Sequence, residues 1–387
     1  MNRSRGLLLT GGTGYLGSLI ASTLLVNEDV EIILPIREGH DADSVLLPIR
    51  IEIEIQGSRF LPEHVERLRL VKLPSLDSLH ELDTVVRESG VDQIIHCAGC
   101  LDYFDRTTLE AVNVDFTRHM LEHGRRWDIQ RFVYISTAFS SGYIDGFIPE
   151  QLHEEPPKDP TDYTRTKREA EHLVANSGIP YLIMRPSIVI GDSRDGHYSG
   201  KQYGLYQLWS GMERLLCREW YPEMHVLAPR QPVSLVHQDA FQQTFLAACR
   251  LLPDNTIFNL VSAHETSPGL RGLWDLWVNA CFRPQSLYCY EKMSDIPMRQ
   301  INTRQRALLA LASVNLEIAS HPWRFETNHL ARLVEQGLEF PHATLESVAI
   351  CQQRFIDESS TIQEYLVQNR EHFAPDTEIF DMATSAA

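Results

Sequence analysis

The feature that most constrains this chain is the run Thr10-Gly11-Gly12-Thr13-Gly14-Tyr15-Leu16-Gly17. It stands between a short apolar strand at Leu7–Thr10 and a helix-patterned stretch at Ser18–Leu25. Strand, glycine turn and helix in that order form a phosphate cradle. Gly11 permits the tight turn, Gly14 lets the backbone approach a pyrophosphate, and Gly17 lets helix and strand pack closely. The pyrophosphate then sits at a helix N-terminus, where backbone N–H groups and the helix dipole favour negative charge. Gly11, Thr13, Gly14, Tyr15, Leu16 and Gly17 are therefore expected to contact a dinucleotide. Arg37, with Glu38 beside it, ends the second strand about 20 residues past the turn. An acidic residue there would bind the ribose 2′-hydroxyl of NAD, whereas an arginine suits the 2′-phosphate of NADP, so NADPH is the expected cofactor.

The rest of the first half alternates strand and helix. Strands are expected at Glu31–Ile36, Gln93–Ala98, Phe132–Ser136 and Tyr181–Arg185, and helices at Leu79–Val86, Leu109–His123 and Thr164–Asn176. Such alternation builds βαβ units, so the fold class is α/β, a Rossmann-type doubly wound parallel sheet. A further strand at Val233–Val236, a helix at Ala240–Leu251 and a late strand at Ile257–Val261 extend this domain. Beyond them the pattern is mostly helical and broken by Pro268, Pro284, Pro297, Pro322 and Pro341. The expected organisation is a nucleotide-binding domain over 1–262, with a substrate-region insertion at about 191–232. A smaller, mostly helical substrate-binding or lid region follows over 263–375. The Leu- and Ala-rich stretch Arg306–Ala319 reads as packed core. The extreme C-terminus is expected to fray.

Charge narrows the function classes. The chain has 387 residues, and 35 Lys and Arg face 52 Asp and Glu, for a net charge of -17. That balance argues against nucleic acid and anionic membranes as partners. No segment approaches the roughly 20 apolar residues of a membrane span. Met1–Leu9 enters the glycine turn rather than a cleavage site, and reads as the first strand of a cytoplasmic protein. Seven scattered Cys, an odd number, argue against a disulfide framework. Cys97 and Cys100 form a CxxC with no second pair at metal spacing, so no metal site is expected.

Tyr163-Thr164-Arg165-Thr166-Lys167 places a phenol and an ammonium four residues apart, on one face of a helix. A free tyrosine titrates near pH 10. A neighbouring ammonium is expected to bring it down, so that Tyr163 can protonate a carbonyl oxygen near neutrality. Lys167 can also hydrogen-bond the nicotinamide ribose. Ser136-Thr137 closes the preceding strand, where a hydroxyl can polarise the same carbonyl.

Together these pieces resemble an extended short-chain dehydrogenase/reductase, over roughly residues 6–262. The matching segments are TGGTGYLG, His96-Cys97-Ala98-Gly99, Asn113-Val114, Ile135-Ser136-Thr137, Tyr163 with Lys167, and Arg185-Pro186-Ser187-Ile188. The resemblance implies that Thr137, Tyr163 and Lys167 are catalytic. It implies that Ala98 lines the adenosine or nicotinamide path, and that Pro186, Ser187 and Ile188 contact the nicotinamide end. It also implies that Asn113 holds the helix in the middle of the sheet. Within that superfamily the chain is most similar to thioester reductases and fatty acyl-CoA reductases, on Arg185–Gly196, Leu101–Asp105, Arg37 and the segment His321–Asn328. It departs from their Gly-Asp beside the adenine, where Pro74-Ser75-Leu76-Asp77 stands.

The resemblance implies reduction of an acyl-CoA or carrier-bound acyl thioester to an aldehyde, with a second hydride giving the alcohol. Tyr203, Leu205, Tyr206, Leu208 and Trp209 could line an acyl tunnel or simply form core. The three catalytic residues serve a ketone or alcohol oxidoreductase equally well. A nucleotide-sugar epimerase or dehydratase is a third reading. A dinucleotide-sensing regulator is the non-enzymatic one, against which the Tyr/Lys pair speaks. A homodimer is compatible with all of these.

Overall fold

The computed structural model describes residues 5–373 and the backbone of 380–383. Most of the C-terminal stretch expected to fray lies outside the described residues. The chain forms two compact units. The first comprises Met1–Ser187, Ala240–Val261 and Phe325–Phe340, and the second Ile188–Asp239, Ser262–Arg324 and Pro341–Ala387.

The first unit holds a seven-stranded sheet. Its strands are β1 (Arg5–Thr10), β2 (Val30–Arg37), β3 (Leu68–Leu73), β4 (Val91–His96), β5 (Arg131–Ile135), β6 (Tyr181–Pro186) and β7 (Thr256–Leu260). Their order is β7-β6-β5-β4-β1-β2-β3, and every pairing is parallel. This is the doubly wound arrangement, whose strand order reverses between β1 and β4. In open α/β sheets ligands bind at the carboxyl ends of the strands at that point. Leu8, Leu9, Ile32, Ile33, Ile94, Phe132, Val133, Leu182 and Ile183 are buried because helices cover both faces of a parallel sheet.

Helix α1 (Tyr15–Asn27) follows the glycine turn. Helix α2 (Ala42–Ile55) and strand β3 are among the elements of this unit absent from the sequence-based expectation. The helix is capped by Asp41, whose carboxylate accepts from Ser44 N–H at 2.8 Å, and it buries Val45, Ile49 and Ile53. Strand β3 is the sheet edge. The helix expected at Leu109–His123 is in three parts: a short α-turn at Arg106–Leu109, a π-helical turn at Glu110–Asp115, and α3 (Phe116–Arg126). Single π-turns of this kind insert a residue and cluster at functional sites. Helix α4 (Asp162–Ala175) is capped by Thr161, whose hydroxyl accepts from Thr164 N–H.

Segment 325–340, expected from sequence to belong to the C-terminal region, packs in the first unit instead. It covers the β7 edge through polar groups. Glu150 accepts from Asn259 N–H at 3.1 Å and from His329 N–H at 3.0 Å, and Asn259 Nδ2 donates to the carbonyls of Ile148 and Glu326. Burial pushes the Glu150 carboxyl up to about 7, with Glu326 adding repulsion and the backbone N–H donors opposing. A carboxyl raised in the folded state stabilises the fold below its unfolded value near 4.5, and that contribution is lost as pH rises through about 7. Glu150→Gln keeps an acceptor and removes the ionisation. One of the two backbone N–H donors then faces an amide nitrogen, which costs stability at every pH, but the melting temperature relative to wild type should rise from pH 5 to pH 8 by a definite margin. A partly exposed site limits that margin to on the order of 1 kcal/mol, a few degrees. A difference from wild type independent of pH in paired thermal melts would show that Glu150 does not titrate there.

The second unit is less purely helical than expected. It pairs Ile188–Ile190 with Leu235–His237, and Glu223–Leu227 with Ser286–Tyr290. Its core contains Leu205, Tyr206, Leu208 and Trp209. Trp209 lies 6.0 Å from Trp277 and 5.6 Å from Phe355, and Tyr206 stacks on Tyr198 at 3.6 Å. These four side chains are therefore packed in that core. Tyr203 alone of that group is exposed. The stretch at 306–319 spans the helices Thr303–Leu311 and Ser313–Ser320, which bury Leu308, Leu309 and Leu316.

Candidate active site

The site is built at the carboxyl ends of β1, β4, β5 and β6. At the end of β1, Gly11 has φ +74°, and a Cβ there would lie 2.6 Å from the Ala98 nitrogen. A Cβ on Gly17 would lie 2.0 Å from the Gly11 carbonyl oxygen. The turn is thus closed down onto β4 and onto its own helix. Gly14 occupies the N-cap of α1, which has no side-chain cap. Thr13, Tyr15 and Leu16 lie along the same turn. A helix end left uncapped by side chains, at the switch point of a parallel sheet, fits a pyrophosphate.

β4 is tied to this turn by a buried hydrogen-bond chain. Thr10 Oγ1 meets His96 Nδ1 at 2.8 Å and accepts from Ala98 N–H at 3.2 Å; His96 Nε2 meets Thr117 Oγ1 at 3.0 Å. The Thr117 hydroxyl donates to the Asn113 carbonyl at 2.7 Å, so we assign the His96 proton to Nε2 and the Thr10 proton to the bond with Nδ1. Burial and the Lys167 charge hold His96 down at about 3, so the ring stays neutral. Asn113, on the π-turn, accepts from Cys100 N–H at 2.8 Å and donates to Thr166 Oγ1 at 3.0 Å. It thus links the loop after β4 to α4.

Thr137 follows β5, and Tyr163 and Lys167 project from α4. The Thr137 hydroxyl accepts from Phe139 N–H at 3.4 Å and lies near enough to the Tyr163 phenol to lower its pKa. The Tyr103 ring lies 6.0 Å from that of Tyr163. Burial raises the Tyr163 phenol far above its ordinary value, Tyr103, Cys97 and Cys100 push the same way, and the Thr137 hydroxyl opposes them. The expectation that Lys167 brings this phenol toward neutrality is corrected here. The ammonium leans away to the strand end, donating to the Ile135 carbonyl at 2.6 Å with its Nζ 4.2 Å above the Tyr134 ring. Four-residue spacing puts the two side chains on one face, but the nearer acceptor decides where a long lysine points. Burial lowers Lys167 to about 8, with Cys97 and Glu171 opposing.

Pro186 and Ser187 close β6. Ser187 N–H donates to Leu260 O at 3.0 Å, while its buried hydroxyl oxygen has no partner. An orphaned hydroxyl at this strand end fits a nicotinamide amide. Ile188 begins the second unit, pairing with Leu235. Arg37 stands exposed at the end of β2, on the same edge of the sheet as the glycine turn. Cys97 and Cys100 are free thiols, the former pushed up to about 12 by burial. Among the described residues no three metal-ligating side chains gather, and no helix is long and apolar enough to cross a membrane.

Sequence reasoning missed a buried polar cluster behind the candidate catalytic residues. Glu171 on α4 accepts from Ser136 Oγ, from Ser140 Oγ at 2.9 Å, and from Arg185 Nε and Nη2 at 2.9 and 2.5 Å. The available signal was a Glu and an Arg at positions that the strand and helix patterns place in the interior.

Fold and site together define a nicotinamide-dependent oxidoreductase of the extended short-chain dehydrogenase/reductase type. Residues 9–240 match the NAD-binding family described as male sterility protein, and the chain belongs to that family. It is 27% identical over 234 residues to the fatty acyl-CoA reductase wat of Drosophila melanogaster, covering 50% of this chain and 44% of that one. It is 28% identical over 204 residues to peramine synthetase ppzA of Metarhizium majus, covering 49% of this chain and 7% of that one. The chain thus spans less than half of either relative's length. Among solved structures it shares its fold with the terminal R domain of the myxalamid biosynthetic pathway (TM-score 0.72, 18% identity, 92% of each chain). It also shares it with a thiolation-reductase di-domain of an archaeal non-ribosomal peptide synthetase (TM-score 0.67, 18% identity, 96% of this chain and 77% of that one).

Proposed function

We propose that the chain is an NADPH-dependent reductase of an acyl thioester, carried on coenzyme A or on a carrier, with Thr137, Tyr163 and Lys167 as its catalytic centre. The observation that carries this reading is that Thr137, at the carboxyl end of β5, and Tyr163 and Lys167, on α4, are gathered at the carboxyl ends of the strands next to the glycine cradle, with the buried Lys167 ammonium held on the last carbonyl of β5. The bound cofactor supplies a hydride to the carbonyl carbon. As charge grows on the carbonyl oxygen, Thr137 donates a hydrogen bond to it and Tyr163 delivers a proton. Burial keeps the phenol protonated, so the proton to be delivered is in place before hydride arrives. Lys167, held at the end of β5 by the Ile135 carbonyl, is the group that would bind the nicotinamide ribose. The resulting hemithioacetal breaks its carbon–sulfur bond and loses its hydroxyl proton, giving an aldehyde and a free thiol. The thioester assignment is supported by the names of the relatives, a fatty acyl-CoA reductase and a thiolation-reductase protein.

The test is a screen of NADPH oxidation across acyl-CoAs, aldehydes and ketones with free thiol measured in parallel. One thiol should appear per acyl group reduced. Robust ketone turnover with no thiol from any thioester would replace this reading with a ketone or alcohol oxidoreductase, which the same three residues serve.

The NADPH preference rests on Arg37. Its guanidinium makes no ion pair among the described residues, and it stands at the end of the strand next to the cradle. Arg37→Asp should raise the NADPH dissociation constant by about 10- to 100-fold and leave NADH much less affected, because a charge-assisted bond is replaced by repulsion. Fluorescence titration with both dinucleotides reads this. A wild-type protein that binds NADH more tightly would remove the role given to Arg37.

A further inference from the structure

We infer that the buried pair Glu171–Arg185 is a positioning device for catalysis, setting the mutual placement of Thr137, the Tyr163–Lys167 helix and the Ser187 strand end. The inference rests on the catalytic reading above and deepens it.

The geometry is that of a hub. Glu171 lies one helical turn beyond Lys167 and two beyond Tyr163 on α4. Its Oε1 accepts from Ser136 and Ser140, which flank Thr137 in the turn after β5. The same carboxylate takes Arg185 Nε at 2.9 Å and Nη2 at 2.5 Å, and Arg185 immediately precedes Pro186 and Ser187. The remaining donors of the guanidinium are also used. Nη2 reaches the Gln151 carbonyl at 2.9 Å, and Nη1 reaches His153 Nε2 at 2.7 Å. Burial and Arg185 keep His153 neutral, so its Nε2 accepts. Arg168 closes the cage from the other side, donating to the Ser140 carbonyl at 3.1 Å and to Asp159.

Both charges are fully buried. A buried ion pair contributes little net stability compared with an apolar pair of the same volume, because desolvation offsets the attraction. What it supplies is direction. A carboxylate on α4 facing fixed donors from two other chain segments restricts how the three can be arranged. Each segment carries a group of the site, so an error in this hub becomes an error in the distance between the acid, the polarising hydroxyl and the cofactor pocket. Hydride and proton transfer are steep functions of such distances.

The test compares Glu171→Gln, Ser136→Ala and Ser136→Thr with wild type and with Tyr163→Phe. The hydride acceptor is whichever compound the screen above shows to be reduced. Readouts are kcat, the NADPH dissociation constant, the melting temperature and the primary isotope effect from 4-deuterated NADPH. Glu171→Gln should lower kcat on the order of 10²-fold and Ser136→Ala by roughly tenfold, with NADPH affinity changed less than about threefold. The isotope effect should rise as the chemical step becomes limiting, and Ser136→Thr should restore kcat. If Glu171→Gln does not fold, the Ser136 pair decides, because it leaves the ion pair intact. Variants that melt earlier but keep wild-type kcat and isotope effect would reduce the hub to a structural role and overturn the inference. Near-normal turnover by Tyr163→Phe would instead bring down the catalytic reading on which it rests.

Discussion

Tyr163→Phe is expected to lower kcat on the order of 10²–10⁴-fold while NADPH binding stays near wild type. Burial keeps the phenol protonated through the physiological range, so in the proposed mechanism it holds the proton that the reacting oxygen receives. Removing one oxygen leaves the ring and its contact with Tyr103 in place, so the site keeps its shape and loses its acid. The Thr137 hydroxyl remains and can still polarise the carbonyl, which is why residual turnover is expected. Steady-state kinetics together with NADPH fluorescence separate the two effects. A variant with near-normal kcat would remove Tyr163 from the mechanism. A variant that loses NADPH affinity and kcat together would assign it to binding instead.

Gly17→Ala should nearly eliminate nucleotide binding without touching a catalytic group. The added methyl would stand 2.0 Å from the Gly11 oxygen and 2.6 Å from its carbonyl carbon, closer than any real contact. Backbone cannot yield there as a flexible side-chain end would, so either the turn opens or α1 moves off β1. Both displace the N–H groups that face the pyrophosphate. Losing two charge-assisted hydrogen bonds corresponds to a rise in the NADPH dissociation constant on the order of 10²-fold or more. Calorimetric titration measures it, and circular dichroism checks that the sheet remains. Tight binding by a folded Gly17→Ala protein would mean that the turn does not hold the pyrophosphate.

The two predictions rest on features read with different ease from the chain. The glycine turn is a local object: its eight residues, Thr10 to Gly17, follow one another, and its conformation is dictated by where a Cβ is tolerated. The central strands are legible for a similar reason. A strand covered on both faces must be apolar almost throughout, as at Leu7–Leu9 and Ile94–Ile95. The spacing of Tyr163 and Lys167 likewise follows from the helical period, which puts them on one face.

Other elements hide because their sequence signal conflicts with the packing that decides them. Arg50-Ile51-Glu52-Ile53-Glu54-Ile55 alternates as a strand would, yet it is helical. Asp41 caps the helix, Val45, Ile49 and Ile53 form a stripe at helical spacing, and α2 packs beside α1. Strand β3 carries Arg69 and Lys72 because an edge strand is only half covered, and that charge breaks the apolar run that marks its neighbours.

The sequence by itself determined the cradle, the order of the βαβ units and the face shared by Tyr163 and Lys167, because short-range sterics and periodicity act within a few residues. Only the tertiary structure decided that Lys167 points to Ile135 and that the Tyr163 phenol is raised rather than lowered. It alone decided that 325–340 covers the β7 edge, that Trp209 is core, and that Glu171 finds Arg185. Each of these depends on which distant groups become neighbours and on how much water is excluded between them. Neither quantity exists until the sheet has assembled.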